Sequence, residues 1–257
     1  MLLYNNNKHR KSLYKKEKGD IVMEIETNAE KANTMEISDN KKKIKSIRLK
    51  IYEILKRCVD IIGALFGMII LVPTTIIVFI MSIILNESDG PLFYTQKRIG
   101  KNGKYFKLYK FRSMCKDAED KLAVYLAENE EAREEFKKTQ KLQNDPRITK
   151  MGKVLRKTSL DELPQMINIL KGDMSFIGPR PVIDGEIERY EEIGKKDKFL
   201  SVKPGLTGYW QVNGRSTTSY EDRIKLELYY VDNKSLWLDI KIFLKTFISV
   251  FKGEGAI

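Results

Sequence analysis

The longest apolar stretch of the chain, Ile61 to Leu85, contains no charged residue. A straight helix of that length would reach about 37 Å, whereas the hydrocarbon core of a bilayer is about 30 Å thick. Pro73 lies in the middle of the stretch, where proline removes a backbone hydrogen bond and bends or breaks a helix. The pattern therefore predicts a membrane-inserted helix with a bend or break near residue 73.

Basic residues flank this stretch at both ends. They are Lys50, Lys56, Arg57, Lys97, Arg98, Lys101 and Lys104. A helix that crosses the membrane is expected to be basic mainly at its cytoplasmic end. The symmetric flanks favour a re-entrant segment that enters one leaflet, turns at Pro73 and leaves on the side from which it came. A kinked spanning helix is the alternative.

Residues 1–45 are rich in Lys, Asn and Glu and show no apolar periodicity, which predicts a disordered cytoplasmic tail. The tail ends in the basic run Lys41-Lys42-Lys43-Ile44-Lys45, which either lies against anionic lipid or forms a solvated linker. The net charge of +12 predicts attraction to an anionic partner, whether nucleic acid, lipid headgroups or a phosphate substrate.

Alternating apolar and basic residues surround Asn102-Gly103, a pair typical of β-hairpin turns. The second arm of this predicted hairpin projects Lys110 and Arg112 away from its packed face. Lysine on the wet face of a half-buried strand is common, so the pattern alone assigns these two residues no role.

Three further patterns predict elements around the centre of the chain. Residues 116–143 are densely charged, which predicts one or two surface helices. Asn213-Gly214 predicts a second hairpin with Arg215 at its bend. Residues 236–251 are apolar but carry three charges, which predicts an interfacial amphipathic helix with Trp237 near headgroup depth; a core helix is the alternative.

Two adjacent carboxylates, Asp161 and Glu162, lie between a basic run and a proline. Pro164 suits the first turn of a helix and Gly172 suits the position just past its end. This short helix would place the carboxylates at its entrance, where backbone N–H groups favour phosphate. The alternative is a capping box of Ser159 and Glu162, but it would put Pro164 where a backbone N–H is needed.

Arg180 stands between two prolines, Pro179 and Pro181, so a stiff backbone presents its guanidinium. A preorganised arginine suits bidentate recognition of phosphate. Histidine chemistry is excluded because the single histidine, His9, lies in the polar tail. The two cysteines, Cys58 and Cys115, have no metal-binding or redox spacing, so a reducing cytoplasmic location is expected for the soluble part.

Several of these elements together resemble the bacterial sugar transferases, the monotopic polyprenyl-phosphate phosphoglycosyl transferases. The resemblance covers about residues 50–250. It rests on the apolar segment with its central proline, Tyr-Lys-Phe-Arg-Ser-Met from Tyr109, Leu-Arg-Lys-Thr-Ser-Leu-Asp-Glu-Leu-Pro-Gln from Leu155, and Lys-Gly-Asp-Met-Ser-Phe-Ile-Gly-Pro-Arg-Pro from Lys171. One departure is Val72 before the membrane proline, where many members have serine; Thr74 and Thr75 are candidates to replace its hydroxyl.

The resemblance implies a two-step transfer of a sugar phosphate from a UDP-sugar to undecaprenyl phosphate, with release of UMP. Asp161 would be the nucleophile and would form a covalent phosphosugar intermediate, and Asp161 with Glu162 would hold Mg²⁺. Arg156 would contact the lipid phosphate. The remaining substrate-binding residues implied are Lys110, Arg112, Pro179, Arg180, Pro181 and Arg215. The donor sugar would be galactose, glucose or an N-acetylated relative, for the initiation of capsule or exopolysaccharide assembly.

The implied fold is α+β, a small mixed catalytic domain at the cytoplasmic face of the bacterial inner membrane. The expected segments are a disordered tail (residues 1–45), a re-entrant membrane segment (46–90), the catalytic domain (91–235) and an interfacial helix (236–257). Expected partners are membrane lipid, a second copy of the chain and downstream glycosyltransferases. Two alternatives remain: the same transfer by direct displacement, and a non-enzymatic membrane module that binds a polyanion.

Overall fold

The computed structural model describes residues 2–139, 142–214 and 218–251 and contains two compact units, Met1–Ile54 and Leu55–Ile257. The described part mixes helices with two small sheets, which confirms the coarse α+β prediction. The first unit is helical from Leu2, and the disordered tail expected for residues 1–45 stays a prediction. Lysine, glutamate and methionine, which are frequent there, are good helix formers, and no proline interrupts them.

The first helix, α1, spans Leu2–Ile84 and is long and apolar enough from Asp39 to Ile84 to cross a membrane. It continues through Pro73 without a break. The hydroxyls of Thr74 and Thr75 donate to the carbonyls of Ile70 and Leu71, at 2.8 and 2.7 Å. These bonds satisfy backbone groups near the bend, although not the Ile69 carbonyl that the missing N–H of Pro73 would serve. The re-entrant topology stays a prediction.

Within the second unit, one side of α1 packs against the rest of the protein. Ala64, Leu71 and Val78 are buried there, whereas Ile62 and Phe66 are 69% and 65% exposed. The buried carboxylate of Asp60 accepts hydrogen bonds from the Ser175 hydroxyl, at 2.9 Å, and the Phe176 N–H, at 3.0 Å. Residues 60–78 therefore belong to the core of this unit along one face and present an apolar surface on the other.

The predicted first hairpin is confirmed. Strand β1 (Phe93–Ile99) pairs antiparallel with β2 (Tyr105–Phe111), and Asn102 in the turn has a positive φ of 58°. Phe106 and Leu108 on β2 are buried, and Lys110, two residues further, follows the same face. Lys110 therefore points inward, and the prediction that it projects away from the packed face is wrong.

The remaining elements carry the site and enclose it. They are α2 (Ala118–Glu128), α3 (Glu130–Thr139), α4 (Lys150–Lys157), α5 (Gln165–Lys171), β3 (Ser175–Ile177), α6 (Asp184–Glu192), α7 (Lys196–Leu200), β4 (Gly205–Thr207), α8 (Tyr209–Asn213), α9 (Tyr220–Asn233) and α10 (Leu236–Phe251). Helices α2 and α3 confirm the prediction for residues 116–143. Strands β3 and β4 pair in parallel.

The prediction of a second hairpin is wrong, because residues 209–213 form helix α8. Tyr209 and Val212, three residues apart, share one helical face and pack on a core cluster of Ile177, Tyr230 and Ile242. The Asn213-Gly214 pair therefore ends a helix instead of joining two strands. Gly208, before α8, leaves no room for a side chain because a Cβ there would meet the carbonyl of Gly178.

Helix α10 places Ile242 in the core at 1% exposure and leaves Trp237 65% exposed, with the Lys241 ammonium 5.2 Å from the centre of the Trp237 ring. Phe243 and Phe247 are also more than half exposed. This two-sided pattern is the one expected for a helix at an interface. Its binding to a membrane surface stays a prediction.

Asn168 on α5 ties this helix to the hairpin. Its side chain is fully buried, accepts from the Tyr109 N–H at 3.0 Å and donates to the Lys107 carbonyl at 2.7 Å. Asn168→Ala should lower the free energy of unfolding by about 2 kcal/mol, because it leaves two part-buried backbone groups without their partners. Asn233→Ala, at an exposed helical asparagine, is the control and should change it by less than about 0.5 kcal/mol in the same denaturant titration.

Candidate functional site

The two carboxylates lie in a single 3-10 turn, Leu160–Glu162, between α4 and α5. Ser159 before the turn has a φ of 56°, an uncommon left-handed conformation for a residue with a side chain. The Ser159 side chain makes no cap hydrogen bond, so the capping-box alternative is wrong. Helix α5 begins at Gln165 and ends before Gly172, with a φ of 86°, which confirms the short helix predicted from the sequence.

Glu162 forms an ion pair with Lys110 on β2. The Lys110 Nζ donates to Oε1 of Glu162 at 2.7 Å, and the two side chains are 24% and 29% exposed. Burial alone would raise the pKa of Glu162, but Lys110 first, and then Arg180 and Arg98, outweigh burial and lower it. Glu162 is therefore the carboxylate of the pair that stays ionised more readily.

Asp161 is buried, and its pKa is raised. Burial is the largest cause, and the neighbouring negative charge of Glu162 adds to it, whereas Lys110 and Arg156 act in the opposite direction. Asp161 and Glu162 thus titrate differently although they are adjacent in sequence. A cation near the pair would relieve the repulsion between them.

A pocket opens beside Glu162, and neither Asp161 nor Arg156 is among its lining residues. Its lining consists of Arg98, Leu108, Lys110, Glu162, Gln165, Arg180, Pro181, Gly205, Leu206 and Gln211. Three cationic side chains therefore converge on one carboxylate. An anionic ligand with two or more charges fits this lining, because each charge could meet a guanidinium or ammonium group.

Arg180 is half-buried, and its guanidinium forms no hydrogen bond or ion pair with another residue of the described ranges. Pro181 lines the pocket, but Pro179 is fully buried and its carbonyl accepts from the Gly205 N–H at 2.8 Å. The structure thus places Arg180 and Pro181 at the pocket wall and gives Pro179 a role in holding the backbone.

Arg156 lies on the Asp161 side of the pair, where its Nε donates to the Ser113 hydroxyl at 3.0 Å. Arg112 is placed elsewhere, because its Nη2 donates to the Glu87 carbonyl at 2.8 Å and lies 3.2 Å from Oδ1 of Asp89. The structure therefore does not bring Arg112 to the pocket with Lys110. Arg215 lies outside the described residues.

Arg98, Gln165 and Gln211 line the pocket but were not predicted from the sequence to belong to the site. Arg98 stands among the basic flanks of the apolar stretch, but its side chain is 13% exposed, and its Nη1 donates to the Pro181 carbonyl at 2.9 Å. Burial lowers the pKa of Arg98, and the charge of Arg180 adds to this. The sequence offered one indication: Arg98 is next to Ile99, the last residue of strand β1. A residue inside a strand is held by its neighbours, unlike one in a solvated basic flank.

Replacing Lys110 should move the acidic limb of the pH profile of activity. Lys110 lowers the pKa of both carboxylates, so Lys110→Met raises both. If activity requires the ionised forms, the Lys110→Met variant will lose activity at a higher pH than the parent as the pH falls. Lys110→Arg keeps the charge and is the control. A limb that stays in place in Lys110→Met would contradict the assignment of the pair.

Asp161 and Glu162 are suitable ligands for one divalent cation. Among the described ranges, no group of three or more His, Cys, Asp or Glu residues could hold a metal ion. Mg²⁺, however, is often bound by one or two carboxylates and takes its other ligands from phosphate and water. The repulsion that raises the pKa of Asp161 also favours a cation at this place. The residues present therefore fit Mg²⁺.

Comparison with known proteins gives a consistent result. The family model described as bacterial sugar transferase matches residues 51–253. The UDP-galactose-lipid carrier transferase of Erwinia amylovora is 46% identical over 202 residues, which cover 79% of this chain and 41% of that protein. The undecaprenyl-phosphate galactose phosphotransferase of Salmonella typhimurium is 45% identical over 202 residues, with the same two coverages.

A shorter relative matches over most of its length. The exopolysaccharide production protein ExoY of Sinorhizobium fredii is 42% identical over 201 residues, which cover 78% of this chain and 87% of that protein. The chain spans about two fifths of the length of the two larger relatives. With the family model covering both carboxylates, the pocket and the apolar part of α1, the chain belongs to the bacterial sugar transferase family.

Proposed function

We propose that the protein transfers a sugar 1-phosphate from a nucleotide diphosphate sugar to a polyprenyl phosphate, through a covalent intermediate on Asp161. The observation that carries the proposal is the position of the carboxylate pair, with a tricationic pocket on the Glu162 side and Arg156 on the Asp161 side. Two anionic substrates can thus approach the same carboxylates from different directions.

In the first step the Asp161 carboxylate attacks the phosphorus atom that bears the sugar. A bond forms between Asp161 and this phosphorus, and the bond to the bridging oxygen breaks, so that nucleoside monophosphate leaves with the electron pair. Lys110 and Arg180 line the pocket where the diphosphate would lie. Their charges would stabilise the negative charge that develops on the leaving phosphate.

In the second step an oxygen of the polyprenyl phosphate attacks the same phosphorus atom and releases the Asp161 carboxylate. The attacking phosphate is already anionic, so this step requires no histidine to remove a proton. Arg156, held by its hydrogen bond to Ser113, acts on Asp161 through its charge and is proposed to receive the lipid phosphate. The product is a polyprenyl diphosphate sugar.

Mg²⁺ is proposed to bind to Asp161 and Glu162. When bound, it would neutralise part of the diphosphate charge and polarise the phosphoryl oxygens. Glu162, whose pKa is lowered, would supply an ionised ligand, and its bond from Lys110 would fix its orientation.

The donor is proposed to be a UDP-sugar, with UDP-galactose tested first and UDP-glucose and N-acetylated relatives next. The support comes from the names of the two larger relatives, which refer to galactose and undecaprenyl phosphate. The reaction would begin the assembly of a surface polysaccharide at the cytoplasmic face of the membrane.

A re-entrant α1 is proposed in place of a spanning helix. Buried residues from Ala64 to Val78 pack on the catalytic part of the same unit, with Leu71 and Val78 in a cluster with Phe111 and Leu155. A helix surrounded by hydrocarbon could not keep this contact along its apolar length. Cysteines introduced at positions 40 and 95 should be labelled from the same side of the membrane, and labelling from opposite sides would contradict the topology.

A nucleotide-sugar screen tests the reaction. Purified protein in detergent is incubated with Mg²⁺, polyprenyl phosphate and each UDP-sugar in turn, and released UMP is measured. UMP release beyond one equivalent of protein that requires both substrates supports a transferase, and the absence of any release with every donor favours the polyanion-binding module. Intact mass measured after incubation with the donor alone separates the two transfer mechanisms: a phosphosugar adduct supports the covalent route, and no adduct with no UMP release favours direct displacement.

A further inference from the structure

The Pro179-Arg180-Pro181 segment is held by hydrogen bonds from three separate elements. The Pro179 carbonyl accepts from the Gly205 N–H on β4 at 2.8 Å, and the Pro181 carbonyl accepts from Arg98 on β1 at 2.9 Å. The single N–H of the segment, that of Arg180, donates to Oε1 of Glu227 on α9 at 3.1 Å. Only the guanidinium of Arg180 is left to bind a ligand in the pocket.

Glu227 is an unusual partner for a backbone N–H. Its side chain is 1% exposed, and its second oxygen, Oε2, is buried with no hydrogen-bond partner among the described residues. A buried carboxyl group with one unsatisfied oxygen destabilises a protein, so a sequence is expected to keep it only where it performs a task. Among the described residues its carboxylate accepts one hydrogen bond, from the Arg180 N–H.

Charged residues near Glu227 act on it electrostatically and leave its bond to Arg180 in place. Arg223, one turn earlier on α9, donates to Oε1 of Glu186 at 3.0 Å, and its guanidinium carbon lies 4.7 Å from the centre of the Trp210 ring. Glu186 in turn lies 3.5 Å from Nη1 of Arg98. Arg98, at the end of this ion-pair network, and Glu227 both contact the backbone of the Arg180 segment.

We propose that Glu227 is a positioning residue that sets the direction of the Arg180 guanidinium and thereby the affinity of the pocket for the diphosphate of the donor. Proline on both sides fixes two of the φ angles, and the bond to Glu227 fixes the peptide between them. Arg180 then meets the ligand without first losing backbone freedom. This inference rests on the proposed function, because it names the part of the donor that Arg180 contacts.

Glu227→Leu tests the proposal, because it removes the acceptor and keeps a side chain of similar size. The KM for the nucleotide sugar and the Kd for inorganic pyrophosphate should each rise on the order of tenfold, with a smaller change in kcat and no change in the KM for polyprenyl phosphate. Glu227→Gln keeps an acceptor oxygen and should recover most of the affinity. Glu221→Leu, at an exposed position on the same helix, is the matched control.

A double-mutant cycle with Arg180→Ala separates positioning from a general loss of structure. If Glu227 acts through Arg180, Glu227→Leu should add nothing to the loss of pyrophosphate binding in Arg180→Ala. Multiplied effects, or an unchanged Kd in either single variant, would overturn the inference. Glu227→Asp, which keeps the carboxylate but withdraws it from the Arg180 N–H, replaces Glu227→Leu if the latter does not fold, and should give the same cycle.

The pyrophosphate measurement also separates this inference from the proposed function. Coupled effects of Glu227 and Arg180 on pyrophosphate binding, in a protein that releases no UMP from any donor, would uphold the inference and overturn the transferase. UMP release that is insensitive to Glu227→Leu would uphold the transferase and overturn the positioning role.

Discussion

Asp161→Asn is expected to reduce the transfer of sugar phosphate by at least about a thousandfold, because an amide cannot form the acyl phosphate bond. The substitution keeps the shape of the side chain and removes the charge whose burial raises its pKa. The protein should therefore fold at least as well as the parent. The measurement is the amount of radiolabelled polyprenyl diphosphate sugar formed per minute, together with the intact mass after exposure to the donor.

Two comparisons make this result specific. Asp197→Asn, at an exposed position on α7, is the matched control and should leave both readouts unchanged. Glu162→Gln should slow the reaction, and the slowing should be reduced at raised Mg²⁺ if Glu162 binds the metal. Full transfer by Asp161→Asn would show that the covalent mechanism is wrong. An adduct that still forms in Asp161→Asn would move the nucleophile to another residue.

Glu227→Gln is expected to make the protein more stable at pH 8 than the parent, and this gain should disappear at pH 4.5. Burial raises the pKa of Glu227 from 4.5 to about 7, against the opposing effects of the Arg180 N–H, Arg223 and Arg180, and Glu186 adds to the rise. Between these two values the folded state binds more protons than the unfolded state. The stability contributed by Glu227 is therefore complete below pH 4.5 and is lost as the pH rises through 7.

The expected size of the effect is about 3 kcal/mol between pH 4.5 and pH 8, from the difference between the two pKa values. It is measured as the difference in the free energy of unfolding between the parent and Glu227→Gln, from denaturant titrations in detergent at several pH values. Taking the difference removes the contributions of all other titratable groups. A parallel pair of pH curves would contradict the assignment of this titration to Glu227.

The central motif could be predicted from the sequence because local rules determine it. Proline at the start of α5 and a positive φ at Gly172 each follow from the chemistry of one residue, so the bounds of α5 were correct. The first hairpin was correct for a similar reason, since Asn102 and Gly103 both adopt the positive φ that such turns require. The resemblance then supplied roles for the carboxylates that spacing alone could not supply.

The rest of the site could not be predicted because it depends on contacts between distant segments. Arg98 and Pro181 are 83 residues apart in sequence, and nothing near Arg98 indicates that its guanidinium holds the Arg180 segment. The hairpin predicted at the second Asn-Gly pair was wrong for the same reason. The core contacts of Tyr209 and Val212 determine that α8 is helical. Tertiary packing, and not turn propensity, decided the conformation there.

The buried hydrogen bonds of Asp60 can form only after a much later part of the chain has been synthesised. Its hydrogen-bond partner Phe176 is 116 residues further along the chain, so at typical translation speeds the partner is made on the order of ten seconds later. Until then the Asp60 carboxylate is expected to stay hydrated, because moving an unpaired charge into the hydrocarbon core of the membrane is costly in free energy. The nascent α1 is therefore expected to wait at the membrane surface with residue 60 in water, and to reach its final position only when the segment from β3 onward has been made.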